Sequence, residues 1–334
     1  MARTPPTRFF EIPQTALKIQ SADWRDYQLL LRKPWQTSQG ILTQRRGRLL
    51  RLQDTEGRTG WGDAAPLPEF GIDEAAATAF AEECAYLDLS AQRSDQALNA
   101  WLSGHPAQQS IAVNANLGAL SDKSPAQARQ AIAQGYRILK LKVGTAPLLD
   151  EINALKKLGV GVPAQIKLRF DANRAWSIQE ARDFIDACQQ LPIDGLEEPL
   201  QTPDPAALAT LQDLADFPLA IDESIELLAE KSFFQHPPVR RLVLKPARHG
   251  GLLASMELGL RASAVGIECI VTSALESACG TLACAHLAAA IAPHSVHGLT
   301  TSEWFAHDTG SRAEIREGRF GLPTVSGLGF QPNH

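Results

Sequence analysis

Short apolar runs that each end on a charged side chain recur through the middle of this 334-residue chain. The charges that end successive runs lie 23 to 29 residues apart. That interval is about the length of one strand plus one helix in a (β/α)8 barrel, where all the strand ends meet at a single rim. The spacing therefore predicts a barrel with five charged side chains gathered at one end. In chain order they are Lys142, Asp171, Glu197, Asp222 and Lys245.

The chain alternates between strand-like and helix-like segments in its second part. Ile111–Asn116 and Arg137–Val143 are typical of strands, and eight such segments can be counted. Helix starts stand between the strands, with a proline directly after Ser124 and a capping box that begins at Ser177. This pattern predicts an α/β fold in which residues 106–311 form a (β/α)8-type barrel.

The first part of the chain has a different pattern. Strand-like segments at 27–31 and 49–52 precede a helical segment that runs from Asp73 to about Ala91. Strands followed by helices are typical of a separate α+β unit, which we assign to residues 1–105. Residues 312–334 contain Gly and Pro and have no long helical pattern. We expect this last segment to pack back against the N-terminal unit.

Composition excludes several classes of protein. The chain is 44% hydrophobic and 21% charged, which is ordinary for a globular enzyme or binding protein. A net charge of −5 argues against a nucleic-acid surface, because phosphate binding requires an excess of Lys and Arg. The most apolar stretch, Val265–Ala292, is interrupted by Glu268, Glu276 and His286. We interpret it as a buried strand, a loop and a buried helix rather than a membrane span.

The five cysteines are odd in number and show no spacing typical of a metal site. Such a set fits a reducing compartment. Met1–Ile12 contains arginine and proline but no apolar core of a signal peptide, so we expect no secretory signal. These observations favour a cytoplasmic protein.

A local basic cluster, Arg45, Arg46, Arg48 and Arg51, is flanked by leucines. Leucines that alternate with charged residues are typical of a strand with one solvated face. We therefore expect these arginines to be solvated rather than to form a binding site.

Three carboxylates end consecutive strands, which is how a barrel assembles an oxygen-rich site. Asp171, Glu197 and Asp222 suit Mg²⁺, which prefers a few carboxylates and leaves positions for substrate oxygens and water. For any one of them, a salt bridge at the rim or a helix cap is an alternative. Glu198 and Glu223 follow directly in sequence. Because side chains alternate along a strand, we expect only one acid of each adjacent pair to face the metal.

Lysines that face the inside of a barrel are costly to bury unless they have a task. Lys142 beside a divalent cation is a candidate base for a proton α to a carboxylate, and the cation stabilises the resulting negative charge. Lys245 ends a later strand and is a second candidate. Lys140 points the same way as Lys142, and we interpret it as an ion-pair partner or as a residue that tunes the pKa of a neighbour.

Further polar residues stand at other predicted strand ends. Asn173 follows Asp171 by two positions and is a candidate to orient ligands or substrate, with a plain turn as the alternative. Ser273 and Ser277 are candidates to receive a substrate carboxylate, with helix capping by Ser277 as the alternative. Trp304 follows the eighth strand, and the sequence assigns it no role.

These motifs together resemble those of the enolase superfamily, specifically its muconate-lactonizing-enzyme subgroup. The resemblance implies a capping domain over the barrel, formed by the N-terminal α+β unit and the C-terminal segment. It also implies Mg²⁺, with Mn²⁺ as a substitute, on the three strand-end carboxylates, and the two lysines on opposite faces of a small carboxylate substrate. The motifs span most of the chain: Trp61–Pro68, Lys140–Lys142, Asp171–Asn173, Glu197–Pro199, Asp222–Ser224 and Lys245–Pro246.

Within that subgroup, residues 169–176, 196–200 and 273–277 look most like the o-succinylbenzoate synthase branch. The resemblance implies dehydration of 2-succinyl-6-hydroxy-2,4-cyclohexadiene-1-carboxylate to 2-succinylbenzoate, a precursor of menaquinone or phylloquinone. Lys142 would then remove the α proton to give an enediolate, and would protonate the departing hydroxide on the same face. Lys245 would be an electrostatic stabiliser.

Other activities of the subgroup remain open. An N-succinylamino acid racemase uses the same two lysines, and cycloisomerases and epimerases share the first half-reaction. The dipeptide-epimerase branch has an Asp-x-Asp pair near the eighth strand, whereas this chain has Gly-Leu-Thr-Thr-Ser-Glu at 298–303. We expect substrate choice to depend on capping loops near Trp35–Thr43 and Pro66–Gly71.

Two hypotheses from other functional classes also remain open. One is a metal-free barrel in which Lys245 forms a Schiff base, although the three carboxylates would then have no purpose. The other is a small-molecule binding protein without catalytic activity. The presence of two lysines at strand ends argues against it. The sequence leaves the oligomeric state open.

Overall fold

The computed structural model of the protein describes residues 17–37, 40–229 and 232–333. Met1–Ile12, where we expect no secretory signal, lies outside the described residues, and so does part of the predicted capping loop at 35–43. In the described part of the chain, no helix is long and apolar enough to cross a membrane. The five cysteines are buried and free.

An antiparallel sheet of three strands opens the described part, with β1 (Ile19–Thr37) pairing with β2 (Gly40–Asp54), which pairs with β3 (Thr59–Ala64). A 3-10 turn at Pro68–Phe70 follows, and then α1 (Glu74–Arg93) and α2 (Leu98–Ser103). The helix α1 begins at Asp73, whose side chain accepts a hydrogen bond from the backbone N–H of Ala76.

Glycines in β3 let α1 lie directly on the sheet. A Cβ atom added at Gly62 would lie 1.8 Å from the carbonyl oxygen of Ala81, and one at Gly60 would lie 2.2 Å from that of Ala85. No side chain fits in that space, so the backbones approach closely. The result is the strand-rich α+β cap that the sequence predicted.

Seven parallel strands form the main sheet, in chain order from one edge to the other. They are β5 (Ala115–Ala119), β6 (Ile138–Lys142), β7 (Lys167–Asp171), β8 (Ile193–Glu197), β9 (Leu219–Ile221), β10 (Arg241–Leu244) and β11 (Glu268–Val271). The helices that connect them are α3 (Ser124–Ala133), α4 (Leu148–Val160), α5 (Ile178–Cys188), α6 (Pro205–Leu214) and α7 (Leu252–Ala264), and α8 (Ala278–Ile291) follows the last strand.

Two short strands close this sheet into a barrel. The strand β12 (Val296–His297) pairs in parallel with β4 (Ser110–Val113), and β4 runs almost directly into β5. On its other side, the N–H of Gly298 donates to the carbonyl of Val271 at the end of β11, at 3.0 Å. The predicted barrel is therefore confirmed, although the predicted strand at 111–116 is divided into β4 and β5 near Asn114.

The ring of helices is less regular than eight repeats would give. Between β9 and β10, residues 222–229 and 232–240 contain a 3-10 turn, Ile225–Ala229, and no α-helix. A second 3-10 turn, Thr301–Trp304, follows β12. The two predicted helix starts are confirmed, since α3 begins at Ser124 with proline in its first turn and Ser177 forms a complete capping box.

The C-terminal segment contacts both parts of the protein. It contains β13 (Ile315–Arg316) and β14 (Arg319–Gly321), and β14 pairs with β4 of the barrel. Farther along, the carbonyl of Gly327 accepts from the N–H of Leu98 at 2.8 Å, and the N–H of Leu328 donates to Asp88 on α1 at 2.8 Å. The exact boundaries near residues 105 and 311 stay a prediction.

Buried charges pair inside the barrel, below the strand ends. Arg169 on β7 and Arg241 on β10 both donate to Oδ2 of Asp194 on β8, at 2.7 and 2.8 Å. Burial raises the pKa of Asp194, but the two guanidinium groups outweigh it and hold the pKa below its usual value. The network ties three strands together beneath the candidate site.

Candidate active site

A cavity of about 90 Å³ opens at the carboxyl ends of the barrel strands, beneath the cap. The structure brings most of the predicted site residues to it, at or just after the ends of their strands except for Lys140, which lies within β6. Those that line it are Lys140, Lys142, Asp171, Asn173, Asp222, Lys245 and Ser273. A larger groove of about 500 Å³, near Gly135 and Gly318, contains none of them.

Lys140 joins two of the predicted metal ligands. Its ammonium lies 2.5 Å from Oε2 of Glu197 and 3.0 Å from Oδ2 of Asp171. Burial lowers the pKa of Lys140, but the two carboxylates outweigh it and raise the pKa above its ordinary value. At Asp171, the charges of Lys140 and then Lys142 outweigh burial and lower the pKa, whereas burial dominates at Glu197 and raises the pKa. Lys140 therefore behaves as the ion-pair partner that the sequence suggested.

Lys245 pairs with the third predicted ligand. Its ammonium donates to Oδ2 of Asp222, and both side chains are buried. Burial lowers the pKa of Lys245, but Asp222 and then Glu223 outweigh it and raise the pKa. The other oxygen of Asp222, Oδ1, is buried and has no hydrogen-bond partner.

Glu198 turns away from the cavity and braces the segment that carries Asp222. Its backbone has a φ of +45°, and its carboxylate accepts from the N–H groups of Asp222 at 2.6 Å and Ser224 at 2.7 Å. The hydroxyl of Ser224 donates to it as well, at 2.5 Å. At the pair Glu197 and Glu198, the two acids thus have different partners, and the left-handed backbone of Glu198, just after β8 ends, sets its direction.

At the second pair of acids, the expectation that only one acid faces the metal site is wrong, because Asp222 and Glu223 both line the cavity. The physical reason is that β9 ends at Ile221, so strand alternation no longer applies to the next residues. Burial, and then the nearby Asp222 and Asp171 carboxylates, raise the pKa of Glu223 to about 8. Its Oε1 accepts from Nδ2 of Asn173 at 2.7 Å.

The carboxylates have the oxygen ligands that a hard cation requires, but they are not arranged as a complete coordination site. Among the described residues, no three acidic, histidine or cysteine side chains already surround one point, because lysine ammonium groups lie against the carboxylates. Three buried oxygens nevertheless have no hydrogen-bond partner: Oε1 of Glu197, Oδ1 of Asp222 and Oε2 of Glu223. Of the three, Oδ1 of Asp222 has the guanidinium of Arg248 at 3.7 Å. Buried acceptors without a hydrogen bond are costly, and hard oxygen donors are what Mg²⁺ prefers.

Lys142 differs from the other two lysines because it forms no ion pair with a described residue. Its Nζ lies 5.5 Å from the ring centroid of Trp35, and the Nζ of Lys245 lies 5.5 Å from that of Phe70, both within the range of cation–π attraction. Trp35 stacks on Phe70, and its other neighbour is Trp304, edge-on at 5.5 Å. We call Trp35, Phe70 and Trp304 the aromatic wall.

The two predicted serines lie in different places. Ser273 lines the cavity, and its hydroxyl is hydrogen-bonded to that of Thr301. Ser277 starts α8 and does not line the cavity, and its N–H donates to Asp63 of the cap at 2.8 Å. Sequence reasoning gave no role to Trp304 or Thr301, although their position directly after the eighth strand was a usable signal.

The expectation that the whole basic cluster is solvated is wrong at Arg45, which is only 4% exposed. Arg45 lies on β2 opposite the buried Leu29 of β1, on the face that packs against the barrel. Its guanidinium donates to three backbone carbonyls. Arg46, on the other face, is exposed as expected.

Comparison with known proteins identifies the family. Residues 123–334, well over half of the chain, match the family described as "Enolase C-terminal domain-like". The chain belongs to the enolase superfamily. Within the superfamily it resembles the subgroup of muconate lactonizing enzyme. That enzyme from Pseudomonas fluorescens, in complex with muconolactone, superimposes with a TM-score of 0.84 at 20% identity, over 95% of this chain and 97% of its own.

Two relatives in the superfamily carry different activities. The o-succinylbenzoate synthase of Klebsiella pneumoniae (strain 342) is 30% identical over 278 residues, which cover 78% of this chain and 84% of that protein. The L-Ala-D/L-Glu epimerase of Bacillus subtilis (strain 168) is 31% identical over 173 residues. That second match covers 50% of this chain and about half, 47%, of the epimerase.

Two further solved structures in the superfamily share this fold. The N-succinyl Arg/Lys racemase of Bacillus cereus ATCC 14579 superimposes with a TM-score of 0.85 at 21% identity, over 95% of this chain and 96% of its own. The dipeptide epimerase of Cytophaga hutchinsonii, in complex with Mg and a dipeptide, has a TM-score of 0.83 at 21% identity and the same coverage. At these identities the likeness establishes the fold, and the reaction has to be argued from the site.

Proposed function

We propose that this protein is an o-succinylbenzoate synthase, a Mg²⁺-dependent lyase that dehydrates 2-succinyl-6-hydroxy-2,4-cyclohexadiene-1-carboxylate to 2-succinylbenzoate in menaquinone or phylloquinone biosynthesis. The observation that carries the proposal is that Lys142 forms no ion pair among the described residues and lines the same cavity as Lys245. The carboxylates of Asp171, Asp222 and Glu223 line that cavity as well. A lysine without a bound carboxylate is available to exchange a proton with a substrate.

Lys142 performs both proton transfers in this scheme. Its neutral amine takes the proton from the ring carbon that bears the carboxylate, which leaves an enediolate. The C–O bond to the hydroxyl then breaks, and the ammonium of Lys142 returns the proton to the leaving hydroxide as water. One water molecule is lost with no change in oxidation state, and the ring becomes aromatic.

The remaining residues provide charge and shape. Lys245, held as a cation by Asp222, supports the negative charge that develops on the substrate, and the aromatic wall packs on the ring. Asp171, Glu197 and Asp222 would hold Mg²⁺, with Glu223 beside them. When bound, Mg²⁺ would supply positive charge next to the substrate carboxylate. Lys140 pairs with two of these carboxylates, lowers the pKa of Asp171 and opposes the effect of burial at Glu197.

A racemase acting on N-succinylamino acids is the second candidate. It is favoured by one observation, that Lys142 and Lys245 line the same cavity, as a reaction with one base on each face of Cα requires. The dehydratase is preferred because the match to a synthase covers 84% of that protein, whereas the match to an epimerase covers 47%. Residues 298–303 also contain no Asp-x-Asp pair.

The test is to mix the purified protein with Mg²⁺ and the cyclohexadiene carboxylate and to follow the loss of diene absorbance. We expect turnover that stops when a chelator is added and that is absent in Lys142→Ala. Lys156→Ala, at an exposed lysine on α4, is the matched control and should behave as wild type. Turnover that survives both the chelator and Lys142→Ala would contradict the proposal.

A further inference from the structure

Arg45 connects three separate segments through one buried guanidinium. Its Nε donates to the carbonyl of Leu275 at 3.1 Å, on the loop between β11 and α8 of the barrel. Its two terminal nitrogens donate to the carbonyls of Pro66 at 2.7 Å and Ala65 at 2.9 Å, on the cap loop after β3. Among the described residues, no carboxylate forms an ion pair with it.

Each of these segments continues into a wall of the cavity. Leu275 itself lines the cavity, two residues after Ser273. The loop that contains Pro66 leads to Phe70, which faces Lys245. The strand β2, which carries Arg45, pairs with β1, and β1 carries Trp35, which faces Lys142. The guanidinium is therefore located where the aromatic wall and the barrel loop meet.

Leu275 adopts a conformation that needs such support. Its φ of +59° is left-handed, a conformation that is unfavourable for a residue other than glycine. Its side chain is buried and packs with Leu29 of the cap hairpin and with Phe305. Its carbonyl is the one that Arg45 binds. Cap residues thus hold Leu275 through both its side chain and its backbone.

We propose that Arg45 is a positioning residue that fixes the cap residues Trp35 and Phe70 of the aromatic wall, together with the Ser273–Leu275 loop, relative to the two lysines. It acts through backbone carbonyls and does not line the cavity, so its effect is on how well substrate fits rather than on the proton transfers. The effect on turnover rests on the proposed function, whereas the effect on loop order does not.

The chemistry of the side chain makes the proposal testable by conservative changes. Guanidinium has five N–H donors in a fixed plane, which is why it reaches three carbonyls at once. Lysine at the same position keeps the charge but cannot reproduce that fork, and methionine keeps the apolar stem and has no N–H donor. Arg45→Lys and Arg45→Met therefore form a graded series, with the exposed Arg46→Met as the matched control.

The experiment combines hydrogen exchange with steady-state kinetics on the Mg²⁺-loaded protein. In Arg45→Met we expect faster amide exchange in residues 65–71 and 273–277, with unchanged exchange in the strands β6 and β7. We also expect KM to rise about 10-fold or more and kcat to change by less than about 3-fold, because uniform binding is lost and the bases stay in place. Arg45→Lys should lie between Arg45→Met and wild type, and Arg46→Met should match wild type.

Unchanged exchange in both segments of a folded Arg45 variant would overturn the proposal, and so would a loss confined to kcat. Faster exchange throughout the barrel would also overturn it, because that is the signature of a residue that only stabilises the fold. If Arg45→Met does not fold, the same comparison is made with Arg45→Lys. If wild type turns over neither candidate substrate, the proposed function fails and the exchange data still decide the role of Arg45.

Discussion

Trp35 of the cap hairpin stacks on Phe70 of the cap loop, with 5.5 Å between ring centroids and 17° between ring planes. Each ring also faces one barrel lysine at 5.5 Å, Lys142 for Trp35 and Lys245 for Phe70. The cap therefore supplies an aromatic surface over two cations, opposite a cluster of carboxylates. A flat, anionic, largely apolar substrate matches such a cavity.

Shortening the aromatic wall should weaken substrate binding. In Phe70→Ala we expect KM for the cyclohexadiene carboxylate to rise about 10-fold or more, because an offset aromatic contact and its buried area are lost. The control is Phe70→Leu, which keeps an apolar side chain and should lie close to wild type. A loss that appears in kcat with KM unchanged would mean that Phe70 acts on the chemical step instead.

Lys140 and Lys142 should differ in their effect on stability. Lys140→Met leaves two buried carboxylates without their cation, and we expect a loss of about 3 to 5 kcal/mol in the metal-free protein. Lys142→Met removes no ion pair between described residues, so its stability should stay close to wild type while turnover is lost. Urea denaturation of both variants measures the contrast. Equal stabilities would contradict the ion-pair role of Lys140.

Magnesium should stabilise the folded protein through the predicted carboxylates. At a Mg²⁺ concentration about 100 times Kd, the expected gain is about 2.7 kcal/mol, observed as a higher melting temperature. Glu197→Gln should lose most of that gain. Asp183→Asn, at an exposed acid on α5, should keep it. The same shift in wild type and Glu197→Gln would place the ion somewhere else.

Glu276 should make stability depend on pH. Burial raises the pKa of its carboxyl from 4.5 to about 7, with Asp63 adding to the shift. Between these values the folded protein binds the proton more strongly than the unfolded chain, so stability should fall as pH rises from about 4.5 to about 7. The total is roughly 3 kcal/mol at 1.36 kcal/mol per pKa unit.

Glu276→Gln removes this titration while it keeps the size of the side chain. Relative to wild type, the variant should therefore gain stability from pH 5 to pH 8. Urea denaturation at both pH values measures the difference, and the buried Asp88, whose pKa is raised to about 6, contributes equally to both proteins. A difference between the two proteins that does not change with pH would contradict the account of Glu276.

The barrel and its charged strand ends could be predicted from sequence because both depend on local, repeating signals. Strand length, helix capping and the spacing of charges sufficed to bring Lys142, Asp171 and Lys245 to one cavity. The position of Glu223 in the cavity was not predicted, because β9 ends at Ile221 and side-chain alternation does not extend to the residues after it. The end of a strand is set by pairing with neighbouring strands rather than by the sequence around it.

Contacts between distant segments could not be predicted. The stacking of Trp35 on Phe70 joins strand β1 to the cap loop after β3, and the burial of Arg45 depends on how the cap lies on the barrel. Neither relationship leaves a periodic signal in the chain. Residues from both predicted capping segments, Trp35 and Phe70, line the cavity, and their effect on substrate choice stays a prediction.

The most direct test of the proposed function is a comparison of kcat/KM for two substrates on one preparation of Mg²⁺-loaded protein. Dehydration of the cyclohexadiene carboxylate is followed by its absorbance, and racemisation of N-succinylamino acids by deuterium incorporation at Cα in D₂O. We expect dehydration with kcat/KM of at least about 10⁴ M⁻¹s⁻¹ and slower racemisation. Deuterium incorporation without any dehydration would contradict the dehydratase and establish the racemase in its place.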